Sequence, residues 1–164
     1  MVSVIRARFI LLPAVAVMLC SCAYSLRGNL PGHLQTVKII PFRSSVTEYG
    51  LEQEVTSMVV EEMVSNGRLA VVTEEADAVL EGRVSSFTRT PYSYTSAEEI
   101  EEYRLDIRII LTFTDMVRNE NILDTQSVGE WLVYDPDEEQ YSDARRRLLE
   151  EAADEIVRSC LSGW

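Results

Sequence analysis

Three thiols and one imidazole stand out in this chain as groups that can be acylated, oxidised or made to bind a metal: Cys20, Cys22, Cys160 and His33. Cys160 recurs in step with Tyr141, Leu148, Leu149, Ala152 and Ile156, so it belongs to the apolar stripe of a helix, where a thiol acts as a small buried hydrophobe. His33 has no Cys or Asp at ligand spacing and reads as an ordinary surface residue. Phosphate loops, dinucleotide fingerprints and serine elbows are missing. The acidic runs at residues 98–102 and 135–139 lack the alternating oxygen ligands and central glycine of a calcium loop, and read as solvated loops. Nothing nominates a nucleophile, a base, a metal site or a cofactor, so the chain is expected to bind and not to catalyse.

Cys20 and Cys22 are different, because they close an N-terminal segment. Arg6 and Arg8 precede an apolar run of 11 residues, 9–19, followed by small residues. A bilayer-spanning helix needs about 20 residues, so the run is an export signal and not an anchor. The ending Leu19-Cys20-Ser21-Cys22 resembles a bacterial lipobox, with an aliphatic residue at −3, a small one at −1 and then cysteine. Cys22 satisfies that pattern. Cys20 does not, since Leu19 would then fill the position that must be small. The resemblance implies a mature chain that begins at an acylated Cys22 on the extracytoplasmic side. Ala23 stands where Asp would signal retention in the inner membrane, which implies sorting to the outer membrane.

Residues 22–164 carry 13 cations and 27 carboxylates, a formal charge of −14. Such a body does not bind nucleic acid through phosphate contacts and is repelled by anionic membrane surfaces. Anchoring then rests on acyl chains, of which two or more are needed for stable attachment. With Cys22 modified, Cys160 is the one thiol left, and no intramolecular disulfide forms.

The expected organisation is a signal peptide at 1–21, an anchor and extended leader at 22–34, and a single domain at 35–164. Residues 35–42 read as a strand. Residues 48–66 read as a helix with Leu51, Val55, Met58, Val59 and Met63 on one side, ended at Asn66-Gly67. Strands are expected at 68–73, 78–89, 102–115 and 122–134, the last broken near Gly129. Between Tyr103 and Phe113 the alternation is strict, which marks a sheet buried on one face and wet on the other. A final helix begins between Pro136 and Asp143, with Asp135-Pro136 fitting a helix start. Its Arg145, Arg146, Arg147 and Arg158 are expected to be mostly solvated. The class is therefore α+β, with two helices packed on one face of a mostly antiparallel four-stranded sheet, in the order β-α-β-β-β-β-α.

Several fragments resemble one family in their order along the chain. They are Cys22-Ala23-Tyr24-Ser25-Leu26-Arg27-Gly28 with Leu30-Pro31, then Val37 to Phe42 (VKIIPF), then Thr47 to Glu52 (TEYGLE), Gly67-Arg68-Leu69, Ala76 to Gly82 (ADAVLEG), and Glu102 to Leu105 (EYRL). Together they are similar to the lipopolysaccharide-assembly lipoproteins, the LptE family. The resemblance implies two helices on a four-stranded sheet and no catalysed reaction. It also implies a large outer-membrane β-barrel as partner, with this lipoprotein as its plug, and lipopolysaccharide as ligand.

Basic residues implicated in some family members lie in the loop between the two central strands. Here residues 90–101 contain no basic residue, so that carry-over fails. Arg83, Arg89, Arg104 and Arg108 are the remaining ligand candidates, and strand parity puts all four on the wet face. Their structural alternative is cross-strand pairing with Glu81 and Asp106. The tips at 91–95, with Tyr92 and Tyr94, and at 117–121 are candidates for contact with the barrel. Competing readings are a peptidoglycan-synthase activator, a secretion-channel subunit, or a lipid-anchored enzyme with a hidden carboxylate pair. About ten extended leader residues would let the domain stand roughly 30 Å from its anchor.

Overall fold

The alternation between Tyr103 and Phe113 forms the middle of a long antiparallel hairpin in the computed structural model, which describes residues 30–162. The export segment, Cys22 and the leader up to residue 29 lie outside the described residues. Strands β1 (Thr36–Ile39) and β2 (Arg43–Ser44) precede helix α1 (Leu51–Asn66). Strands β3 (Ala70–Val71), β4 (Ala78–Tyr94), β5 (Ile100–Asp115) and β6 (Glu120–Tyr134) follow, and helix α2 (Tyr141–Ser162) ends the domain. The sheet runs β3-β1-β4-β5-β6, with β2 also paired to β4.

The α+β architecture matches the sequence reading, with two differences in the sheet. It has six strands, and it is mixed: β1 pairs with β3 and β4 in parallel, and β2 pairs with β4 in parallel. Parallel neighbours need a crossover connection, and α1 supplies it between β1 and β3. Only β4-β5-β6 is antiparallel.

Both helices close one face. From β5 come Leu105, Ile107, Ile109, Leu111 and Phe113; from α1 come Leu51, Val55, Val59 and Met63. From α2 come Leu148, Leu149, Ala152, Ile156 and Cys160, and all of these share one core. Gly50 (φ 72°) opens α1 and Gly67 (φ 70°) closes it, donating its N–H to the Met63 carbonyl at 3.3 Å. Glu48, expected inside the helix, instead reaches across to α2, accepting from the Tyr141 hydroxyl (3.0 Å) and from Arg145 (3.3 Å). Arg145 also pairs with Glu54 at 3.1 Å and is 15% exposed, so it straps the two helices together instead of facing solvent. Asp135 does not start α2. Its carbonyl and carboxylate accept the amides of Asp137, Glu138 and Glu139 in a separate turn, and the helix begins at Tyr141.

The β4–β5 hairpin is longer than the alternation suggests. It continues to a turn at residues 95–99, where Thr95 Oγ1 accepts the amides of Ala97 and Glu99. Irregular register at Val84/Ser86 and at Pro91/Ser93 interrupts it, and Pro91 is tolerated beside the second break. In β6, Gly129 pairs regularly with Arg108, and the break lies instead near Thr125 (φ 54°). With 16 residues in β5 at about 3.3 Å each, the two turns that bound it stand roughly 50 Å apart.

Candidate functional site

The face opposite the helices is where the sequence placed the candidate arginines, and register tests that placement residue by residue. Arg83 pairs with Ile110, Arg104 with Thr90 and Val133, and Arg108 with Ser86 and Gly129, all out of phase with the buried β5 positions. These three share the open face. Arg89 does not. The extra residue in β4 between Val84 and Ser86 reverses parity, so Arg89 pairs with buried Leu105 and lies on the helix side. There its guanidinium sits 3.7 Å above the Tyr103 ring and 5.4 Å from the rings of Tyr134 and Tyr141. Arg89 therefore fastens the hairpin to the start of α2 through cation–π contacts.

Arg104 and Asp106 form a forked pair at 2.6–3.0 Å, but within β5 and not across strands as expected, and Glu81 pairs with no arginine among the described residues; Arg104 lies 4.3 Å from the Trp131 ring. Arg83 and Arg108 make no ion pair among the described residues. Two further cations join them. Arg43 of β2 is in register beside Arg83, and Lys38 of β1 is in register with Val79. Arg43, Arg83, Glu81, Ile110 and Thr112 line an open depression of about 260 Å³. The open face thus holds five cations, Lys38, Arg43, Arg83, Arg104 and Arg108, against Glu81, Glu102 and Asp106.

The helix layer has the opposite character. Arg145, Arg146, Arg147 and Arg158 all pair with carboxylates, yet acids outnumber them. Burial pushes the Glu130 carboxyl up, and Glu155, Glu151 and Asp154 push it further against the pull of Arg158. Within this strongly acidic body, Lys38, Arg43, Arg83 and Arg108 of the open face make no ion pair among the described residues, and neither do Arg68, Arg89 and Arg118 elsewhere. Arg43 and Trp131 were missed in the sequence. A signal for Trp131 existed, because Trp131 and Val133 put apolar groups on the supposedly wet parity of β6.

Tyr92 and Tyr94 are 55% and 58% exposed near the tip of the hairpin. The other expected tip, with exposed Met116 and Val117, is at the far end of the sheet. That second end also receives the chain from its leader. Leu34 is buried, and His33 Nε2 lies 2.6 Å from Asp115 Oδ2, so His33 is hydrogen-bonded to a buried carboxyl and is not an ordinary surface residue. Asp115 is 2% exposed and also accepts the amides of Val117 and Arg118 at 2.9 Å. Burial raises its carboxyl, but the bonds from His33 and those two amides prevail and hold it below the usual carboxylate range.

Two of the fragments that carried the resemblance pack against each other. Asp77 Oδ2 accepts the amides of Gln35 and Thr36 and the Thr36 hydroxyl, each at 2.9 Å. These bonds hold its carboxyl below the ordinary value. Ala78 then pairs with Val37 and Leu80 with Ile39, and Gly82 leaves room for the Phe42 ring. The conspicuous motif is thus a clamp between β1 and β4. Among the described residues no group of three or more His, Cys, Asp or Glu could hold a metal, and no helix is long and apolar enough to cross a membrane.

No curated protein sequence matches this chain. Among solved structures, lipoprotein B from Nitrosomonas europaea is 15% identical with a TM-score of 0.57, covering 85% of this chain and 90% of its own. A hypothetical protein from Chlamydia trachomatis is 10% identical with a TM-score of 0.54, covering 76% and 96%. A minor lipoprotein from Acinetobacter baumannii is 12% identical with a TM-score of 0.50, covering 79% and 91%. At these identities the likeness is one of fold. The sequence model of the family LptE, lipopolysaccharide-assembly, matches residues 34–160, spanning β1 through nearly all of α2 and including the β1–β4 clamp. The chain belongs to the LptE family of lipopolysaccharide-assembly proteins.

Proposed function

We propose that this protein is an outer-membrane lipoprotein, acylated at Cys22, that plugs the β-barrel through which lipopolysaccharide enters the outer leaflet. It helps the barrel assemble, fills its lumen and catalyses no reaction. The observation that carries this reading is the family match over residues 34–160. The chemistry of the surface supports it. A barrel lumen is polar and water-lined, and the open sheet face offers mainly Arg, Thr and carboxylate side chains with Trp131 as its large exposed aromatic. The roughly 50 Å length of the hairpin, with exposed Tyr92 and Tyr94 at one end and the leader at the other, suits a tethered insert. Ala23 after Cys22 suits outer-membrane sorting.

In this reading Arg83, Arg104 and Arg108 contact the barrel or lipopolysaccharide phosphates, Tyr92 and Tyr94 contact the barrel, and Arg89 serves the fold. The test is affinity purification of the full-length protein from detergent-extracted outer membranes. A stable complex with a large β-barrel is expected. Recovery with a peptidoglycan synthase or a secretion channel, and no lipopolysaccharide barrel, would overturn the proposal.

A further inference from the structure

The depression between β2, β4 and β5 contains a conflict that the isolated domain leaves unresolved. Arg43 and Arg83 are register partners on neighbouring parallel strands, so their side chains leave the sheet side by side on the same face. Like charges placed directly opposite repel. Carboxylates are plentiful in this chain, yet neither guanidinium has one within ion-pairing distance among the described residues. Glu81 lines the same depression without closing on either arginine. Arg83 is steered instead toward the Ser45 hydroxyl at 3.4 Å. The floor is Ile110 and Thr112, flat and partly apolar.

Around this pair the face has the composition of a protein interface. Trp131 is 52% exposed and Arg104 lies over its ring, with Arg108 one step along the sheet. Tryptophan and arginine are the residue types that dominate binding energy at such interfaces. The surplus of cations here selects a partner of opposite charge, because complementary potentials steer encounter and fix register.

We infer that this face docks an acidic polypeptide surface, with a carboxylate side chain of the partner seated between Arg43 and Arg83 as a two-guanidinium clamp. Arginine forks match a planar carboxylate bidentately. Glu81 at the rim disfavours a doubly charged phosphate more than a singly charged carboxylate, which favours protein over lipid headgroup as the occupant. The inference rests on the plug reading and deepens it: the partner surface is an acidic stretch of the barrel's inner wall.

The test compares full-length wild type, Arg43→Glu/Arg83→Glu, Arg43→Gln/Arg83→Gln and the helix-layer control Arg146→Glu. Each is co-expressed with the barrel and captured from outer membranes. The double reversal is expected to lose at least about tenfold in retained barrel, the neutral pair to lose less, and the control to match wild type. Wild-type retention should fall with rising salt more steeply than that of the neutral pair. The neutral pair should melt no lower than wild type as the isolated domain, since it removes a repulsion, which separates lost docking from lost folding. Binding of purified lipopolysaccharide should be unchanged in both double variants. Full barrel retention by the double reversal overturns the inference, as does a loss of lipopolysaccharide binding with retention intact, which would assign the clamp to lipid phosphate. If wild type itself captures no barrel, the plug reading falls and takes this inference with it.

Discussion

Replacing Gly82 by alanine puts a methyl group where the Phe42 ring already lies. A Cβ built on Gly82 meets three ring carbons at 2.5, 2.6 and 2.7 Å. Ordinary carbon–carbon contact is about 3.5–4.0 Å, so the ring must retreat by about 1 Å. It has little room to do so. Phe42 is 3% exposed and its amide is held by Thr56 Oγ1 of α1 at 2.9 Å. Overpacking of this kind costs about 1–3 kcal/mol, and at roughly 3–4 °C per kcal/mol for a domain of this size the Tm falls by about 3–12 °C. Urea and thermal unfolding of the unacylated domain measure it directly. Phe42→Leu removes the clashing ring atoms at its own cost in buried area, so the double variant Gly82→Ala/Phe42→Leu should be more stable than the sum of the singles, by about 0.5–3 kcal/mol. A Gly82→Ala variant as stable as wild type, or a strictly additive cycle, would refute the claim that this glycine exists to seat Phe42.

Three other outcomes are expected. His33→Ala removes the partner of Asp115 across 82 residues of sequence, so amide exchange should accelerate at residues 31–36 and in the 116–119 turn while the α1 core keeps its protection; unchanged exchange there would show that this contact does not hold the two segments together. Asp77 has a folded pKa below its ordinary value, so its contribution is present at neutral pH and is lost as pH falls through the folded pKa. The stability gap between wild type and Asp77→Asn should therefore narrow on acidification below about pH 4, and a gap that widened would reverse the assignment. Burial pushes the Cys160 thiol up to about 12, so alkylation at pH 8 should be negligible in the folded protein and rapid in denaturant, as read by mass spectrometry.

Local patterning made the layers legible. Alternation from Tyr103 to Phe113 gave the central strand and its buried face, and the spacing of Leu51, Val55, Val59 and Met63 gave the apolar side of α1. What escaped depends on single-residue irregularities and on long-range partners. One extra residue near Ser85 carries no compositional mark, yet it moves Arg89 from the open face into a cage of three tyrosines. A two-residue strand such as β2 has no periodicity, so the pairing of Arg43 with Arg83 was invisible. His33 looked solitary because its partner lies on the far end of β5, and Glu48 looked helical because its true partners are on α2. The positive cluster was half read: parity found Arg83, Arg104 and Arg108, and tertiary pairing supplied Arg43 and Lys38.

The claim that this domain sits inside a barrel is tested most directly by photocrosslinking in living cells from three places at once. A photoreactive residue is placed at Tyr94 on the hairpin tip, at Trp131 on the open sheet face and at Val117 on the leader end. An inserted plug touches its partner at both ends and along its face, so all three positions should crosslink to the same β-barrel across roughly 50 Å. Crosslinks to the barrel from one end alone, or from all three positions to some other protein, would contradict the account.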